Sequence, residues 1–231
     1  MIRLLPQGEG GLLVELGDAI DPDVNARVHA LARAVVQRIG APVLEVVPSY
    51  ASLLVVFDPL RLSRERLETR VAALARKVEG IRAVPPRRVI EVPVCYGGEL
   101  GPDLEDVARA VALSPAEVIA RHSAPVYRVY LLGFTPGFPY LGGMDPRLAC
   151  PRLSSPRVRV PAGSVAIAGA QTGVYSVESP GGWRLLGRTP LRLFDPDPGA
   201  RRPFLLAPGD GLRFVPVDRA RFDALAAEVL P

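Results

Sequence analysis

Apolar positions in the first third of the chain recur with two different periods. Residues 12–16 form an apolar run suited to a strand. Asp21-Pro22 then offers a helix N-cap followed by proline at the first helical position. Val24, Val28, Leu31, Val35 and Ile39 recur at helical spacing until Gly40 stops the helix. Residues 43–47 and 53–57 read as strands around the turn-like Pro48-Ser49-Tyr50. Ser63 can cap a second helix, with Leu67, Val71, Leu74 and Val78 on one face and Gly80 ending it. This ββαββα order, completed by a strand at 89–94, predicts a small antiparallel sheet covered by two helices on one side.

Pro85-Pro86 marks the expected hinge, and beyond it the texture changes. Gly101-Pro102-Asp103 opens a short helix carrying Leu104, Val107 and Val111. Ser114-Pro115-Ala116-Glu117 is a capping box with proline at the first helical position, so a further helix should run to about His122. After Tyr127 the helical period ends. Short β-rich runs follow at 126–132, 157–160, 164–167, 173–177, 184–186, 191–194, 204–207 and 211–217, each bounded by Gly or Pro. Such punctuation implies a closed or nearly closed β-barrel. A last helix over 218–229 should turn Phe222, Leu225 and Val229 inward. The predicted class is α+β: a small α/β sandwich over 1–85, then a barrel domain over 86–231 with a helical insertion at about 103–122.

Composition narrows the function classes. At 231 residues and 48% hydrophobic content the chain can bury a substantial core without staples. Cys95 and Cys150 fit no metal-ligand or redox spacing and read as two buried free thiols. The N-terminal residues lack the basic segment and apolar run of a signal peptide, and no stretch is long and apolar enough to span a membrane. A soluble, cytoplasmic protein is expected. The net charge of +4 comes from scattered arginines interleaved with acids, as in Arg64-Glu65-Arg66-Leu67-Glu68, which reads as a solvated helix face and not as a nucleic-acid surface.

Several chemistries lack their signatures. The chain has no phosphate-binding glycine-lysine loop and no Gly-x-Ser-x-Gly elbow. Its two histidines, His29 and His122, hardly suffice for a zinc site, so no metal is predicted. His29, mid-helix, reads as structural.

The informative stretch is Gly133-Phe134-Thr135-Pro136-Gly137-Phe138-Pro139-Tyr140-Leu141-Gly142-Gly143. Its glycines and prolines suit neither a helix nor an ordinary central strand. A tight barrel corner plugged by aromatics is one reading; a preformed pocket wall for a small planar ligand is the preferred one. A second cluster runs from Ser155 through Pro161-Ala162-Gly163-Ser164-Val165 to Gln171-Thr172-Gly173-Val174-Tyr175. A third is Ser179-Pro180-Gly181-Gly182-Trp183, followed by Gly187-Arg188-Thr189-Pro190. Arg157 or Arg159 could clamp a carboxylate bidentately. Gln171 can both donate to and accept from an amide. His122 is the one plausible imidazole base, set against the alternative of a helix-end histidine stabilised by the dipole. Trp183 suits a pocket lid or a core anchor. No nucleophile–base pair stands out, which suggests an active site shared with another chain.

These motifs closely resemble the KipI family, together with Gly101-Pro-Asp-Leu-Glu105 and His122-Ser123. It is also called allophanate hydrolase subunit 1, or the carboxyltransferase domain C and D family, and includes the 5-oxoprolinase subunit PxpB. The resemblance spans nearly the whole chain, with one departure at Ser176, where the pattern carries proline. It implies a cyclophilin-like barrel and a partner, PxpC (the KipA or subunit 2 family). With PxpA, of the LamB/YcsF family, such subunits open the cyclic amide 5-oxo-L-proline to L-glutamate while hydrolysing ATP, and a chain like this one is inactive alone. ATP would be handled jointly or on a partner.

Carried over residue by residue, the resemblance implies that Arg157 holds an anion and His122 moves protons. Gln171 and the amides around Gly163 and Ser164 would orient the lactam. Phe134, Phe138, Tyr140 and Trp183 would form walls, with Pro161, Thr172 and Tyr175 completing the binding set. Two other uses of the family stay open: the carboxyltransferase component of a urea-carboxylase-like, biotin-dependent system, and an inhibitor of a sporulation histidine kinase.

Overall fold

A computed structural model describes residues 2–86 and 88–229, with the side chains of all of these but Val229. The chain divides into two compact units, Met1–Pro85 and Pro86–Pro231.

In the first unit β1 (Arg3–Gln7), β2 (Gly11–Glu15), β3 (Val43–Pro48) and β4 (Ser52–Phe57) form an antiparallel sheet in the order β1-β2-β4-β3. Its helices are α1 (Pro22–Ile39) and α2 (Arg64–Val78). Alternation along the inner strands sends Leu12, Val14, Leu53, Val55 and Phe57 to one face, where they share a core with Val28, Leu31 and Val35 of α1 and Leu67 and Val71 of α2. Each such fully buried side chain contributes about 1.5–3 kcal/mol. Asp21 caps α1, accepting from the amides of Asp23 and Val24 at 2.9 Å. Asn25, buried in that helix, donates to the carbonyls of Ser49 and Tyr50 and so holds the β3–β4 turn. The helix pattern was legible; two details were not. Strand β1 carries Pro6 and lies at the sheet edge, where proline is tolerated. Ser63 stands at the N-cap of α2 but its hydroxyl makes no capping bond.

The second unit contains β5 (Val89–Tyr96), α3 (Leu104–Ala110), α4 (Pro115–Ser123), β6 (Tyr127–Leu132), β7 (Pro139–Gly142) and β8 (Arg157–Val160). It continues with β9 (Ser164–Ala168), β10 (Gln171–Val174), β11 (Ser179–Gly181), β12 (Arg184–Arg188), β13 (Gly211–Pro216) and α5 (Arg219–Val229). Seven strands close into a barrel in the order β10-β7-β6-β13-β5-β12-β9, while β8 and β11 pair as a separate ribbon.

Four expectations need correction. The strand expected at 89–94 does not complete the small sheet. It is β5 of the barrel, parallel to β13 with Val92 opposite Phe214, and Val92 and Val94 point into the barrel core. Residues 139–142, assigned to a loop, form the barrel strand β7. Proline is accepted there because it opens the strand, and the glycines make room for rings crossing the sheet. A Cβ on Gly142 would lie 1.7 Å from the Tyr130 ring, and one on Gly173 would lie 2.8 Å from that of Phe138. Residues 191–194 and 204–207 are not strands; a single bridge joins Phe194 to Phe204. The strand expected at 173–177 is β10, which starts at Gln171 and ends at Val174. In α5, Phe222 is buried and Leu225 half-buried. The inward role expected of Val229 lies outside the described residues.

Candidate functional site

The aromatic residues of the 133–143 motif meet Tyr175 and the 179–183 motif at one end of the β8–β11 ribbon. Phe138 sits just before β7, almost fully buried, at the centre of a ring cluster. Edge-to-face contacts join it to Phe134 (5.5 Å between centroids), Tyr140 (5.2 Å), Tyr175 (5.4 Å) and Trp183 (5.6 Å). Pairs of this geometry are worth about 0.5–1.5 kcal/mol beyond burial, so the cluster holds itself rigid. These five rings, with Arg152, Pro156 and the backbone of 180–182, line a cleft of about 310 Å³.

Phe134 is the strained member. Its φ is +64°, a region that bulky residues rarely adopt, and the Thr135 amide donates back to the Gly133 carbonyl at 2.7 Å. This tight three-residue turn holds the ring 61% exposed above Phe138 and Tyr175. Ser176, the departure from the family pattern, braces the same loop. Its hydroxyl donates to the Pro136 carbonyl at 2.7 Å and lies 3.2 Å from that of Thr135.

Charge in the cleft comes from a residue that sequence reasoning did not single out. Arg152 lies over the Trp183 ring, its guanidinium carbon 6.0 Å from the centroid. It belongs to no motif; its spacing after Cys150 carries no signal, and only the fold brings it to the tryptophan. Burial pushes the Tyr140 and Tyr175 hydroxyls above the usual phenol range, so both stay protonated and able to donate.

The other expected site residues lie elsewhere. His122, in the last turn of α4, is wholly buried. Its Nδ1 lies 2.7 Å from the Tyr96 hydroxyl and its Nε2 2.8 Å from that of Thr172, and its ring stacks on Phe214 at 4.6 Å. The Thr172 hydroxyl donates to the Ala166 carbonyl, so it accepts from Nε2–H, and Nδ1 in turn accepts from Tyr96. Burial pushes the imidazole down to about 3. In this structure His122 and Thr172 are therefore a neutral hydrogen-bond pair of the barrel core, out of reach of the cleft.

Arg157 donates to Asp103 at 2.7 Å, and the other Asp103 oxygen accepts from the Leu185 amide. Asp103 thus turns away from capping α3 and ties it to β8 and β12. Arg157 also lies close enough to Tyr175 to favour its phenolate, but it is not among the residues that line the cleft. Arg159 pairs with Glu178 on the surface.

The amides expected to orient a lactam are already bonded within the protein. Gly163 donates to Tyr175 and Ser164 to Pro161. Gln171 opens β10 opposite Ala168 and does not line the cleft. Among the described residues no group of three or more His, Cys, Asp or Glu side chains is placed to hold a metal ion. Nor is any helix long and apolar enough to cross a membrane. The cleft is equipped to bind and orient; the residues that line it include no carboxylate and no activated nucleophile.

Residues 2–206 match the family described as carboxyltransferase domain, subdomain C and D. A Bacillus subtilis protein, named as the B subunit of 5-oxoprolinase, is 43% identical over 96% of this chain and 95% of its own. Its namesake from Escherichia coli O157:H7 is 43% identical over 90% and 93% respectively. Among solved structures, the crystal structure of TTHA0988 superposes with a TM-score of 0.76 at 43% identity. The match covers 94% of this chain but only 40% of that longer one. The chain belongs to the carboxyltransferase domain, subdomain C and D, family, in which proteins named as the B subunit of 5-oxoprolinase are its near-full-length relatives.

Proposed function

We propose that this chain is the B subunit of an ATP-dependent 5-oxoprolinase and that its aromatic cleft seats 5-oxo-L-proline. The near-full-length identity to two proteins of that name carries the reading. The cleft supports it on chemical grounds. A flat five-membered lactam fits among ring edges, its carboxylate suits the single guanidinium of Arg152, and the Tyr175 hydroxyl can donate to its amide oxygen. A lactam opens readily only after its amide oxygen is activated, for which ATP is the natural reagent. One arginine falls short of a triphosphate, and the chain has no glycine-rich phosphate loop, so we assign ATP to a partner.

On this reading the chain is cytoplasmic and inactive alone, and it works with partners of the PxpC and PxpA families. Its own residues bind and orient the ring and exclude water from it. The test is glutamate release from 5-oxo-L-proline and ATP by the assembled partners, with and without this chain. Release that requires the chain supports the reading, and release without it refutes it. The family's description gives a second reading its footing: transfer of a carboxyl group from biotin to a urea-like amide. Carboxylation of urea by the complex in place of glutamate release would favour that one.

A further inference from the structure

Tyr175 and Ser176 are consecutive, yet they line two different clefts. The second, of about 370 Å³, is built around Arg188 at the end of β12. Its apolar surface comes from Pro190, Leu191, Phe222 and Ala226, the last two on α5.

Arg188 combines partial burial with the absence of a close ion pair. Arg157, Arg159 and Arg192 each have a carboxylate within 4.0 Å, at Asp103, Glu178 and Asp195. Arg188 has none among the described residues. Its Nε donates to the Ala162 carbonyl at 2.8 Å, which anchors the guanidinium and leaves its two terminal nitrogens without an acceptor among the described residues. The side chain is partly withdrawn from water, and that burial pulls its pKa down. Glu178, which is paired with Arg159, acts on it only from beyond contact distance. Desolvating a cation with no carboxylate in contact costs free energy, and a ligand anion offsets that cost.

The remaining polar groups decide the class of anion. The Ser176 hydroxyl is committed to the Pro136 carbonyl, the Gly163 amide to Tyr175 and the Thr189 amide to Gly163, while the buried Thr189 hydroxyl accepts from the Leu191 amide. Arg192, at the rim, faces Asp195. One planar fork beside an apolar wall suits a single carboxylate on a small aliphatic body, whereas a phosphate calls for more donors. We propose that the Arg188 cleft binds a small aliphatic carboxylate, its two oxygens on the guanidinium fork and its body against Pro190, Leu191 and Phe222, at a site separate from the aromatic cleft.

The test is a titration of the isotope-labelled full-length chain with sodium butyrate, and separately with inorganic phosphate, followed by NMR. The expected result is a saturable butyrate shift of the Arg188 Nε–H and the Thr189 amide while the Trp183 indole stays still. Arg188→Gln should weaken that binding by about tenfold or more. If Arg188→Gln fails to fold, Arg188→Lys keeps the charge and loses the fork, and binding should still weaken. The proposal is overturned by shifts that do not saturate, by shifts centred on Trp183, by unaltered binding in a folded Arg188 variant, or by phosphate binding more tightly than butyrate. None of these outcomes depends on oxoprolinase activity.

Discussion

His122 donates from Nε2 to the hydroxyl of Thr172 across 2.8 Å, inside a barrel core that admits no water to either. The pair fixes the imidazole as neutral, and that has a measurable signature. The folded chain resists protonation down to about pH 3, while the unfolded chain takes up the proton near the usual 6.5. Stability is therefore complete above 6.5 and is lost as pH falls toward 3, at about 1.4 kcal/mol per pH unit from this group alone. Urea midpoints at about pH 7.5 and about pH 5 should differ by about 2 kcal/mol in stability from this source, and His122→Gln should remove most of that difference.

The Asp103–Arg157 pair predicts a coupled pair of variants. Asp103→Asn leaves the guanidinium beside a neutral amide. Because the Arg157 side chain is 30% exposed, water recovers part of the loss, and a destabilisation of about 2–3 kcal/mol is expected. Asp103→Asn combined with Arg157→Met should cost less than the sum of the single changes, as a double-mutant cycle by denaturant unfolding would read. Strict additivity would mean that the two side chains do not interact.

Phe134 separates stability from function. Glycine is at ease at φ +64°, so Phe134→Gly should be neutral or stabilise the chain by up to about 1 kcal/mol despite losing ring contacts. The same change removes a wall of the aromatic cleft and should lower glutamate release by the assembled complex at least about tenfold. A variant that unfolds more easily and keeps full activity would contradict both halves.

Trp183 is the chain's single tryptophan and lines the cleft, so its fluorescence reports occupancy directly. Added 5-oxo-L-proline should change it saturably, and Arg152→Ala should weaken the response about tenfold. A response unaffected by loss of Arg152 would remove that arginine from the site.

Gly101 offers a control on the fold. A Cβ there would come within 2.0 Å of the Leu186 carbonyl oxygen, a backbone atom that cannot swing aside. Gly101→Ala should destabilise by about 3 kcal/mol or more, seen as a large fall in thermal midpoint.

Much of this fold is written locally and therefore legible. Asp21-Pro22, the Ser114–Glu117 box and the spacing of Val28, Leu31 and Val35 act within a few residues, and each element appears where they place it. What escaped is non-local. Nothing near Val89 says that its strand will pair with Gly211 and not with the small sheet. The aromatic wall was legible because five rings come from short glycine-flanked motifs. Arg152 was not, since its value depends on Trp183, far along the chain. His122 misled because a helix-end histidine looks the same in sequence whether its ring meets solvent or Thr172.

The parallel pairing of β5 with β13 sets the timetable of folding. The strand that opens the barrel can pair with β12 earlier, but it finds its second neighbour only after everything from Val89 to Gly211 has left the ribosome. Closing so long a loop is entropically costly and slow, and until it closes β5 exposes an unpaired edge. The first unit pairs its strands over short spans and can fold early, while the barrel waits with both its clefts unmade. Synthesis should thus pass through a stage in which the first unit is finished and the larger second one still depends on chaperones.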